Sequence, residues 1–378
     1  MDFNGIKFVV VGAGFYGSVT AERIANNLGE KVVVLEKRDH IGGNSWSFFD
    51  QKTNIEIHKY GSHIFHTSNR EVWDYINRFG KFNEYRHQVI TIHNGKPYTM
   101  PINLLTINNF YGKNLKPWEV EAFLQGESAK EKVKNPSNLE EAIVGQIGYP
   151  LYKAFVRGYT MKQWQTDPVR LPAGIIQRLP VRYNYNTSYF SDLWEGIPEK
   201  GYGDIFRNML DFENIEVRLG VDFFQVKDQI PDETCIIYTG PVDRFFNYKY
   251  GELCWRTLDF KEEVLDYSDY QGTAVVNYAD EENPYIRTHE FRHYHPEIDY
   301  SGCDKTIVFH ETSRFAKKDD LPYYPVGRDE DKKKLEKYQA DAEKLNNVIF
   351  GGRLGEYRYY DMHHVIGLAL KRWNYGTG

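Results

Sequence analysis

A glycine-rich segment near the amino terminus constrains the fold of this 378-residue chain more than any other feature. A short apolar run ends in Gly12, Gly14 and Gly17, a helical stretch follows, and a second apolar run ends in Glu36. Gly12 permits a tight turn from strand to helix, Gly14 lets the backbone approach a pyrophosphate, and Gly17 lets the helix pack against the strand. The N–H groups at the helix start can bind phosphates, and Glu36 can accept hydrogen bonds from a ribose. The order and spacing predict a Rossmann-like dinucleotide-binding fold.

A second glycine pair, Gly42-Gly43, follows shortly after Glu36 in the run KRDHIGGN. A nicotinamide site needs nothing at this position. The pair resembles the extended FAD-binding signature of the amine-oxidase-like flavoproteins, in which a second backbone loop approaches the flavin end of the cofactor. We therefore predict FAD rather than NAD. The residues of this segment predicted to bind it are Gly12, Gly14, Phe15, Gly17, Glu36, Lys37, Gly43 and Asn44.

The composition argues against several other classes of protein. The formal charge of −6, with the basic residues dispersed, argues against a nucleic-acid-binding surface. The three cysteines are far apart and form no CxxC pair, so we predict a reducing compartment and no metal site. We expect no membrane insertion because no apolar run is long enough, and no signal peptide because the first strand begins almost at once. A cytoplasmic enzyme is the expectation.

The secondary-structure pattern changes along the chain. From about residue 70 to 180 the apolar spacing is mainly helical, interrupted by a hairpin-like segment at 89–100 with an Asn-Gly turn. From about residue 182, short runs rich in Tyr, Phe, Val and Thr predict strands. Near the end, a strand at 348–350 precedes a final amphipathic helix at 362–373. We expect this late strand to return to the first sheet, so that one domain is built from both chain ends.

Five segments carry a more specific signal than the nucleotide fingerprint, because together and in this order they resemble the bacterial UDP-galactopyranose mutases over nearly the whole chain. The segments are GSHIFHT at 61–67, GYTMKQW at 158–164, RLPVRYNY at 178–185, PYYP at 322–325 and GRLGEYRYYDM at 352–362. The resemblance implies an isomerase that interconverts UDP-galactopyranose and UDP-galactofuranose without net redox change. It also implies that reduced FAD is the active form, and that its N5 forms a covalent intermediate with the sugar.

The resemblance further implies an architecture in three parts. A Rossmann-like FAD-binding domain from both chain ends is joined by a helical bundle subdomain and an antiparallel β-sheet subdomain, an α/β fold with α+β parts. The predicted boundaries are 1–68, 206–251 and 328–378 for the FAD-binding domain, 69–180 for the helical subdomain with a mobile loop near 167–180, and 181–205 with 252–327 for the sheet subdomain.

The resemblance also assigns roles to individual residues. Arg178 and Arg287 match the arginines that clamp the diphosphate, and His63 matches a histidine beside the flavin; these three are the predicted catalytic residues. Arginine suits a departing diphosphate because its guanidinium is planar and permanently charged. The residues predicted to contact the substrate are Phe155, Tyr159, Thr160, Trp164, Tyr189, Arg256, Asn277, Tyr323 and Tyr359. For Arg256 a scaffold role is the alternative to contact with the diphosphate. The residues predicted to form a second cofactor contact region are Gly352, Arg353, Asp361 and Met362.

Four positions depart from the family pattern and leave the sugar open. Ser62 and Val156 stand where close bacterial relatives commonly have Pro and a second aromatic residue, and Lys59 and His87 border the sugar pocket. UDP-N-acetylgalactosamine is therefore an alternative or additional substrate.

Two other function classes stay open. An FAD-dependent oxidoreductase of amine-oxidase-like fold would share the FAD signature but would need no arginines against a diphosphate. A non-catalytic UDP-sugar-binding flavoprotein would bind UDP without turnover. The partners that we expect are the sugar nucleotide, a reductant such as NAD(P)H or reduced flavin, and a second copy of the chain in a homodimer.

Overall fold

The structure is a computed structural model that describes residues 1–173 and 180–373. Arg178, one of the predicted catalytic residues, lies outside the described residues, together with the rest of 174–179 in the loop predicted near 167–180. The chain divides into two compact units, the first comprising 1–84, 192–257 and 316–378, and the second 85–191 and 258–315. The predicted boundaries of three subdomains stay a prediction.

The described elements follow the chain in this order. The strands are β1 (Phe8–Val11), β2 (Val32–Glu36), β3 (Ser47–Phe49), β4 (Glu56–His58), β5 (Phe65–Thr67), β6 (Val89–His93), β7 (Lys96–Met100), β8 (Trp194–Gly196), β9 (Ile215–Leu219), β10 (Cys235–Tyr238), β11 (Trp255–Leu265), β12 (Val275–Tyr278), β13 (Arg287–Glu290), β14 (Thr306–Phe315), β15 (Tyr324–Pro325) and β16 (Val348–Phe350). The α-helices are α1 (Phe15–Arg23), α2 (Arg70–Ile76), α3 (Leu104–Tyr111), α4 (Pro117–Ala129), α5 (Leu139–Ile147), α6 (Tyr149–Tyr152), α7 (Gly158–Trp164), α8 (Gly201–Leu210), α9 (Phe223–Val226), α10 (Val242–Phe245), α11 (Asp329–Ala342), α12 (Gly352–Gly355) and α13 (Met362–Trp373).

The first unit is built on a five-stranded parallel sheet with the order β16-β10-β1-β2-β9. Its central strands are apolar because both faces of a parallel sheet are covered, and all five residues of β2 are buried. The predicted return of the chain is confirmed, since Ile349 of β16 lies in register with Ile237 of β10. This strand order is that of a doubly wound nucleotide-binding fold, in which the ligand site lies at the carboxyl ends of the strands.

Helices α1 and α13 cover one face of this sheet and share a core with α2 and α8. The buried face of α13 presents Ile366, Ala369, Leu370 and Trp373 at helical spacing, as the amphipathic pattern predicts. Asn69 caps the start of helix α2, because its side chain accepts a hydrogen bond from the backbone N–H of Val72.

The second unit contains the strands β14, β13, β12, β6 and β7, which are neighbours in that order, and residues 258–265 of β11 beside β14. Its pairs are antiparallel except for β12 and β6, which are parallel. The predicted antiparallel sheet is therefore confirmed with one exception. The hairpin predicted at 89–100 forms and joins this sheet because β6 pairs with β12. Among the helices that the structure describes, none has both the length and the apolar character needed to cross a membrane.

Candidate functional site

A cavity of about 760 Å³ opens in the first unit at the carboxyl ends of its parallel strands. All of its lining residues belong to the first unit. They include twelve of the residues predicted to bind the cofactor, which are Gly12, Gly14, Phe15, Gly17, Glu36, Lys37, Gly43, Asn44, His63, Gly352, Arg353 and Met362. Asp361 is not among them; its carboxylate lies 3.6 Å from Nδ1 of His364.

The three glycines of the fingerprint differ in their backbone conformation and in what a side chain at each position would meet. Gly12 has a φ of +104°, which favours glycine. A Cβ on Gly17 would lie 1.9 Å from the carbonyl oxygen of Gly12, so helix α1 can pack this close only without a side chain. A Cβ on Gly14 would meet only Cα of Gly43, at the ordinary distance of 3.8 Å. The protein itself therefore leaves room for a methyl group at Gly14, which lines the cavity.

Glu36 ends strand β2 and organises the turn that follows β1. The carboxylate is buried and accepts hydrogen bonds from the backbone N–H of Ala13, at 2.9 Å, and of Arg38, at 3.0 Å. Each carboxylate oxygen can accept more than one hydrogen bond, so Glu36 keeps capacity for the hydroxyl groups of a ribose. The second glycine pair packs against the same turn, because the N–H of Gly42 donates to the carbonyl oxygen of Ala13.

Arg38 provides a positive charge at the edge of this cavity. Its Nη2 donates to Oδ1 of Asn44 at 2.8 Å, and its guanidinium carbon lies 4.7 Å from the ring centre of Tyr60. Its Nη1 is buried and has no hydrogen-bond partner among the residues that the structure describes. A buried cationic donor without a protein partner beside a phosphate-type glycine loop fits a ligand that carries negative charge.

His63 lines the same cavity and is held by its neighbours. Its Nδ1 lies 2.7 Å from the carbonyl oxygen of Gly61, which can only accept, so this nitrogen carries the proton in the neutral ring. Its backbone N–H donates to Nδ1 of His58 at 3.1 Å. His58 and Glu56 are both buried and belong to β4, and Nε2 of His58 lies 3.5 Å from Oε2 of Glu56.

Arg353 contacts four C-terminal tyrosines of the first unit, and the carbonyl oxygen of one of them, Tyr360, accepts from its Nε at 3.1 Å. Its Nη1 donates to the carbonyl oxygen of Tyr323 at 3.2 Å, and its guanidinium carbon lies 5.3 Å from the ring centre of Tyr359. The rings of Tyr324 and Tyr359 are stacked, with centroids 5.3 Å apart. Arg256, predicted as a substrate contact, is fully buried, and its carbonyl oxygen accepts from the N–H of Tyr323. This burial fits a scaffold role for Arg256.

The lining residues that were not predicted from the sequence include Val221, Asp222, Thr239, Gly240 and Arg244. They follow the carboxyl ends of β9 and β10, and this is the signal that could have found them once the strand pairing was known. Arg244 donates to Asp222 at 2.6 Å. Burial alone would raise the pKa of Asp222, but the Arg244 guanidinium and the N–H of Phe224 lower it below its usual value.

A second cluster of predicted residues lies within the second unit, around Arg287 at the start of β13. Its Nη2 donates to the hydroxyl of Tyr159 on α7, and its Nε lies 3.5 Å from Oε1 of Glu311. Asn277 of β12 stands opposite Arg287 in the register of the sheet. The carboxylate that lies near the Arg287 guanidinium in the structure is that of Glu311. The carboxylate of Glu290, the nearest acid along the sequence, instead accepts from backbone N–H groups and Thr306.

The remaining predicted substrate contacts occupy the same unit. Phe155 belongs to a π-helical turn, Lys153–Arg157, directly before α7, and its buried ring packs on Tyr98, at a centroid distance of 4.9 Å. Thr160 is buried and Trp164 half-buried on α7. The backbone N–H of Tyr189 donates to the carbonyl oxygen of His87, and their rings are in contact.

Among the residues that the structure describes, two groups of side chains have potential metal-ligand atoms within 4.8 Å of one another, Asp361–His363–His364 and Asp269–Glu290–His293. The carboxylate of Glu290 is already occupied by protein donors. The expectation that the protein needs no metal stays a prediction.

The chain is similar in sequence to two known protein families and to named proteins of known families. Residues 154–359 match the family described as UDP-galactopyranose mutase, and residues 10–79 match the NAD(P)-binding Rossmann-like domain. The chain is 41% identical over 368 residues to a Klebsiella pneumoniae protein named "Probable UDP-galactopyranose mutase", a match that covers 97% of this chain and 94% of that protein. It is 37% identical over 369 residues to the dTDP-fucopyranose mutase of Escherichia coli, with 97% of both chains covered.

Solved structures agree at the level of the fold. A crystal structure of reduced UDP-galactopyranose mutase superposes with a TM-score of 0.73 at 17% identity, covering 98% of this chain and 95% of that chain. A putrescine oxidase superposes with a TM-score of 0.54 at 9% identity, covering 98% of each chain. The predicted α/β fold with a Rossmann-like domain is thereby confirmed.

Proposed function

Because this chain belongs to the UDP-galactopyranose mutase family, and is therefore an isomerase, we propose that it interconverts the pyranose and furanose forms of a UDP-hexose, UDP-galactose first of all. We propose that it does so with bound FAD in the reduced form. The proposal rests on one structural observation. The cavity of the first unit is lined by Gly12, Gly14 and Gly17, by the second glycine pair Gly42-Gly43, and by His63.

The residues of this cavity fit FAD. The first turn of α1 starts at Gly14 without a capping side chain, so its N–H groups suit a pyrophosphate. Glu36 suits the ribose, and the buried Nη1 of Arg38 suits a phosphate oxygen. When bound and reduced, FAD supplies a nucleophilic ring nitrogen for the anomeric carbon of the sugar. From the C-terminal segment we propose Gly352, Arg353, Asp361 and Met362 as further contacts.

The residues of the second unit fit the nucleoside diphosphate. As the bond between the sugar and the diphosphate breaks, negative charge grows on the diphosphate, and a fixed guanidinium lowers the energy of that state. Arg287 is fixed in this way because Tyr159 and Glu311 hold its guanidinium. We propose Arg178 as the second cation, and the following residues as contacts to the nucleotide or the sugar: Phe155, Tyr159, Thr160, Trp164, Tyr189, Asn277, Tyr323 and Tyr359.

The identity of the nucleotide and of the sugar is part of the proposal. The 37% identity to a dTDP-fucopyranose mutase supports a second candidate substrate, a dTDP-6-deoxyhexose. The positions at which the sequence departs from the family pattern, Lys59, Ser62, His87 and Val156, support testing a UDP-N-acetylhexosamine as a third candidate. We further propose a cytoplasmic homodimer that is reduced by NAD(P)H or reduced flavin.

The decisive experiment is a chromatographic assay of dithionite-reduced protein with UDP-galactofuranose, its N-acetylated analogue and dTDP-fucofuranose. We expect conversion of UDP-galactofuranose to the pyranose form, and no conversion by oxidised protein. Net oxidation of the sugar or release of peroxide would instead identify an oxidoreductase. UDP binding without turnover of any of the three compounds would identify a binding protein and overturn the proposal. Light scattering during gel filtration tests the dimer.

A further inference from the structure

The ammonium group of Lys162 on α7 is surrounded by backbone carbonyl oxygens. Its Nζ lies 2.9 Å from the oxygen of Tyr278, 2.7 Å from that of Asp280, 3.1 Å from that of Asn283 and 3.0 Å from that of Tyr285. An ammonium group has three N–H donors, so four carbonyl oxygens exceed its capacity for separate hydrogen bonds. The arrangement is that of a cation in a shell of carbonyl oxygens, as carbonyl groups replace the water around a potassium ion in a channel.

Three carboxylates, those of Asp280, Glu281 and Glu282, lie near enough to favour the charge of Lys162, and the first two have partners of their own. Asp280 accepts from Nδ1 of His93 at 2.5 Å and from the N–H of Asn94 at 2.7 Å, and Glu281 pairs with Arg157. Lys162 is therefore balanced at short range by carbonyl dipoles and not by a carboxylate. Burial lowers the pKa of Lys162 to about 8, so the group still carries its charge at neutral pH.

The four carbonyl groups come from one segment, the end of β12 and the connection to β13. The register of these two strands places Asn277 opposite Arg287, and the carbonyl of Tyr285 precedes Arg287 by two residues. Tyr159, which accepts a hydrogen bond from Arg287, precedes Lys162 by three residues on α7 and so lies on the same side of the helix. The ammonium group thus joins the helix that carries Tyr159 to the hairpin that carries Arg287.

We propose that Lys162 is a positioning residue whose ammonium group acts as the cation of a carbonyl shell and so holds Tyr159 and Arg287 together. Removal of the Lys162 side chain then creates a binding site for a monovalent cation such as K⁺ or NH₄⁺. The positioning role rests on the proposed function, because it assumes that Arg287 binds the diphosphate. The cation site does not rest on it.

The first test measures thermal unfolding of three variants in chloride salts of K⁺, NH₄⁺ and tetramethylammonium. Lys162→Ala should unfold at a lower temperature than wild type in tetramethylammonium, and K⁺ or NH₄⁺ should recover most of the difference. Lys162→Met should be destabilised equally in every salt, because its side chain fills the space without bringing charge. Lys153→Ala, which changes an exposed lysine one helical segment earlier, should match wild type throughout. Indifference of Lys162→Ala to the cation would overturn the cation site.

The second test measures turnover of the same variants, reduced with dithionite, on UDP-galactofuranose. In tetramethylammonium, Lys162→Ala should lower kcat on the order of 10- to 100-fold, because a misplaced Arg287 faces the developing charge less well, and K⁺ should reverse much of this loss. Recovery of stability by K⁺ without recovery of kcat would overturn the positioning role. Inactive wild-type protein would count against the proposed function alone, since the unfolding experiment needs no substrate.

Lys162→Arg covers the case in which the alanine variant does not fold. A planar guanidinium keeps the charge but cannot present it as a compact point to four oxygens. This variant should fold and show a lowered kcat. If it equalled wild type in both unfolding temperature and kcat, the carbonyl shell would have no specific role and the proposal would fail.

Discussion

The backbone N–H of His63 donates a hydrogen bond to Nδ1 of His58, 3.1 Å away, so a cavity residue is held by a histidine that is itself 1% exposed. Because Nδ1 accepts, the neutral His58 ring carries its proton on Nε2, the nitrogen that lies 3.5 Å from Glu56. Glu56 is fixed in turn by the hydroxyl of Ser47, which accepts from the N–H of Tyr202 at 2.7 Å. The position of His63 thus depends on a buried polar network beneath it.

Replacing His58 tests this dependence. His58→Phe removes the acceptor for the His63 N–H and leaves Glu56 buried without its imidazole neighbour, so we expect a loss of about 1–3 kcal/mol in the free energy of unfolding. His58→Asn offers a side-chain oxygen near the position of Nδ1 and should recover part of the loss. Urea unfolding measures the stability, and the flavin absorption spectrum reports a displacement of His63, because we propose that His63 lies beside the flavin. A phenylalanine variant with wild-type stability and spectrum would contradict the network.

Gly14 and Gly17 of the glycine fingerprint allow a matched pair of alanine substitutions, one expected to affect FAD binding and the other the fold. Gly17→Ala places a Cβ 1.9 Å from a backbone oxygen that cannot move aside, so we expect misfolding or a loss of about 1–3 kcal/mol or more. Gly14→Ala meets only an ordinary contact at 3.8 Å, with φ at −78°, so the apo-protein should keep its stability while FAD binds more weakly. Unfolding of the apo-proteins and titration with FAD separate the two effects. Equal FAD affinity in wild type and Gly14→Ala would argue against a phosphate at this position.

Much of the fold was predictable because local patterns determine it. The glycine spacing fixes the first strand, turn and helix, and the helical spacing at 362–373 fixes the face that α13 buries. The parallel pairing of β6 with β12 was not predictable, since the sequence defines the hairpin but not the strand that its edge will meet.

Only some parts of the site could be predicted from the sequence. The cavity residues that belong to sequence motifs were predicted. Thr239 and Arg244 were missed because only the long-range pairing of β10 brings them to the cavity. The shell around Lys162 had no signal at all, because its ligands are backbone carbonyls, which every residue type has. Sequence patterns identify side-chain chemistry, and they lose information where the backbone provides the ligands.

Acidification should destabilise the protein through His363. Burial, together with the neighbouring His364 and His66, lowers the pKa of His363 from 6.5 to about 4 against the opposing effect of Asp361 and Asp192. Between these two pKa values the unfolded chain binds a proton that the folded chain does not, so stability falls as the pH decreases through this window. His363→Gln should therefore lose less stability than wild type between about pH 7.5 and about pH 5, measured by urea unfolding.

His293 provides a control for this prediction, because its pKa is shifted in the opposite direction to that of His363. Burial alone would lower its pKa, but the carboxylates of Glu290 and Asp269 outweigh burial and raise it. Its folded form binds the proton more tightly than the unfolded chain, which adds stability at low pH that is lost as the pH rises through the folded pKa. His293→Gln should consequently lose more stability on acidification than wild type. Identical pH dependence in both variants would show that neither histidine contributes as its surroundings indicate.

Arg287 is the residue on which turnover should depend most among those that the structure describes. Its guanidinium is fixed by Tyr159 and Glu311, and a fixed donor that faces developing charge is typically worth about 10²–10³ in rate. Arg287→Ala should therefore lose a factor of this size in kcat, with FAD content unchanged. The fold should persist because Glu311 keeps its partner His289, whose Nε2 lies 2.8 Å from Oε2.

Two further variants isolate the cause of that loss. Arg287→Lys should recover activity only in part, because an ammonium group offers a point charge and not a planar pair of donors. Arg314→Ala breaks an ion pair with Asp259 at the surface of the same unit, and such pairs contribute little, so its turnover should match wild type. All three variants are compared as reduced enzymes at saturating UDP-galactofuranose, with circular dichroism as a check on folding. If Arg287→Ala turned over as fast as Arg314→Ala, the diphosphate would have to be held by other residues, and the role given to the Tyr159–Arg287 pair would be wrong.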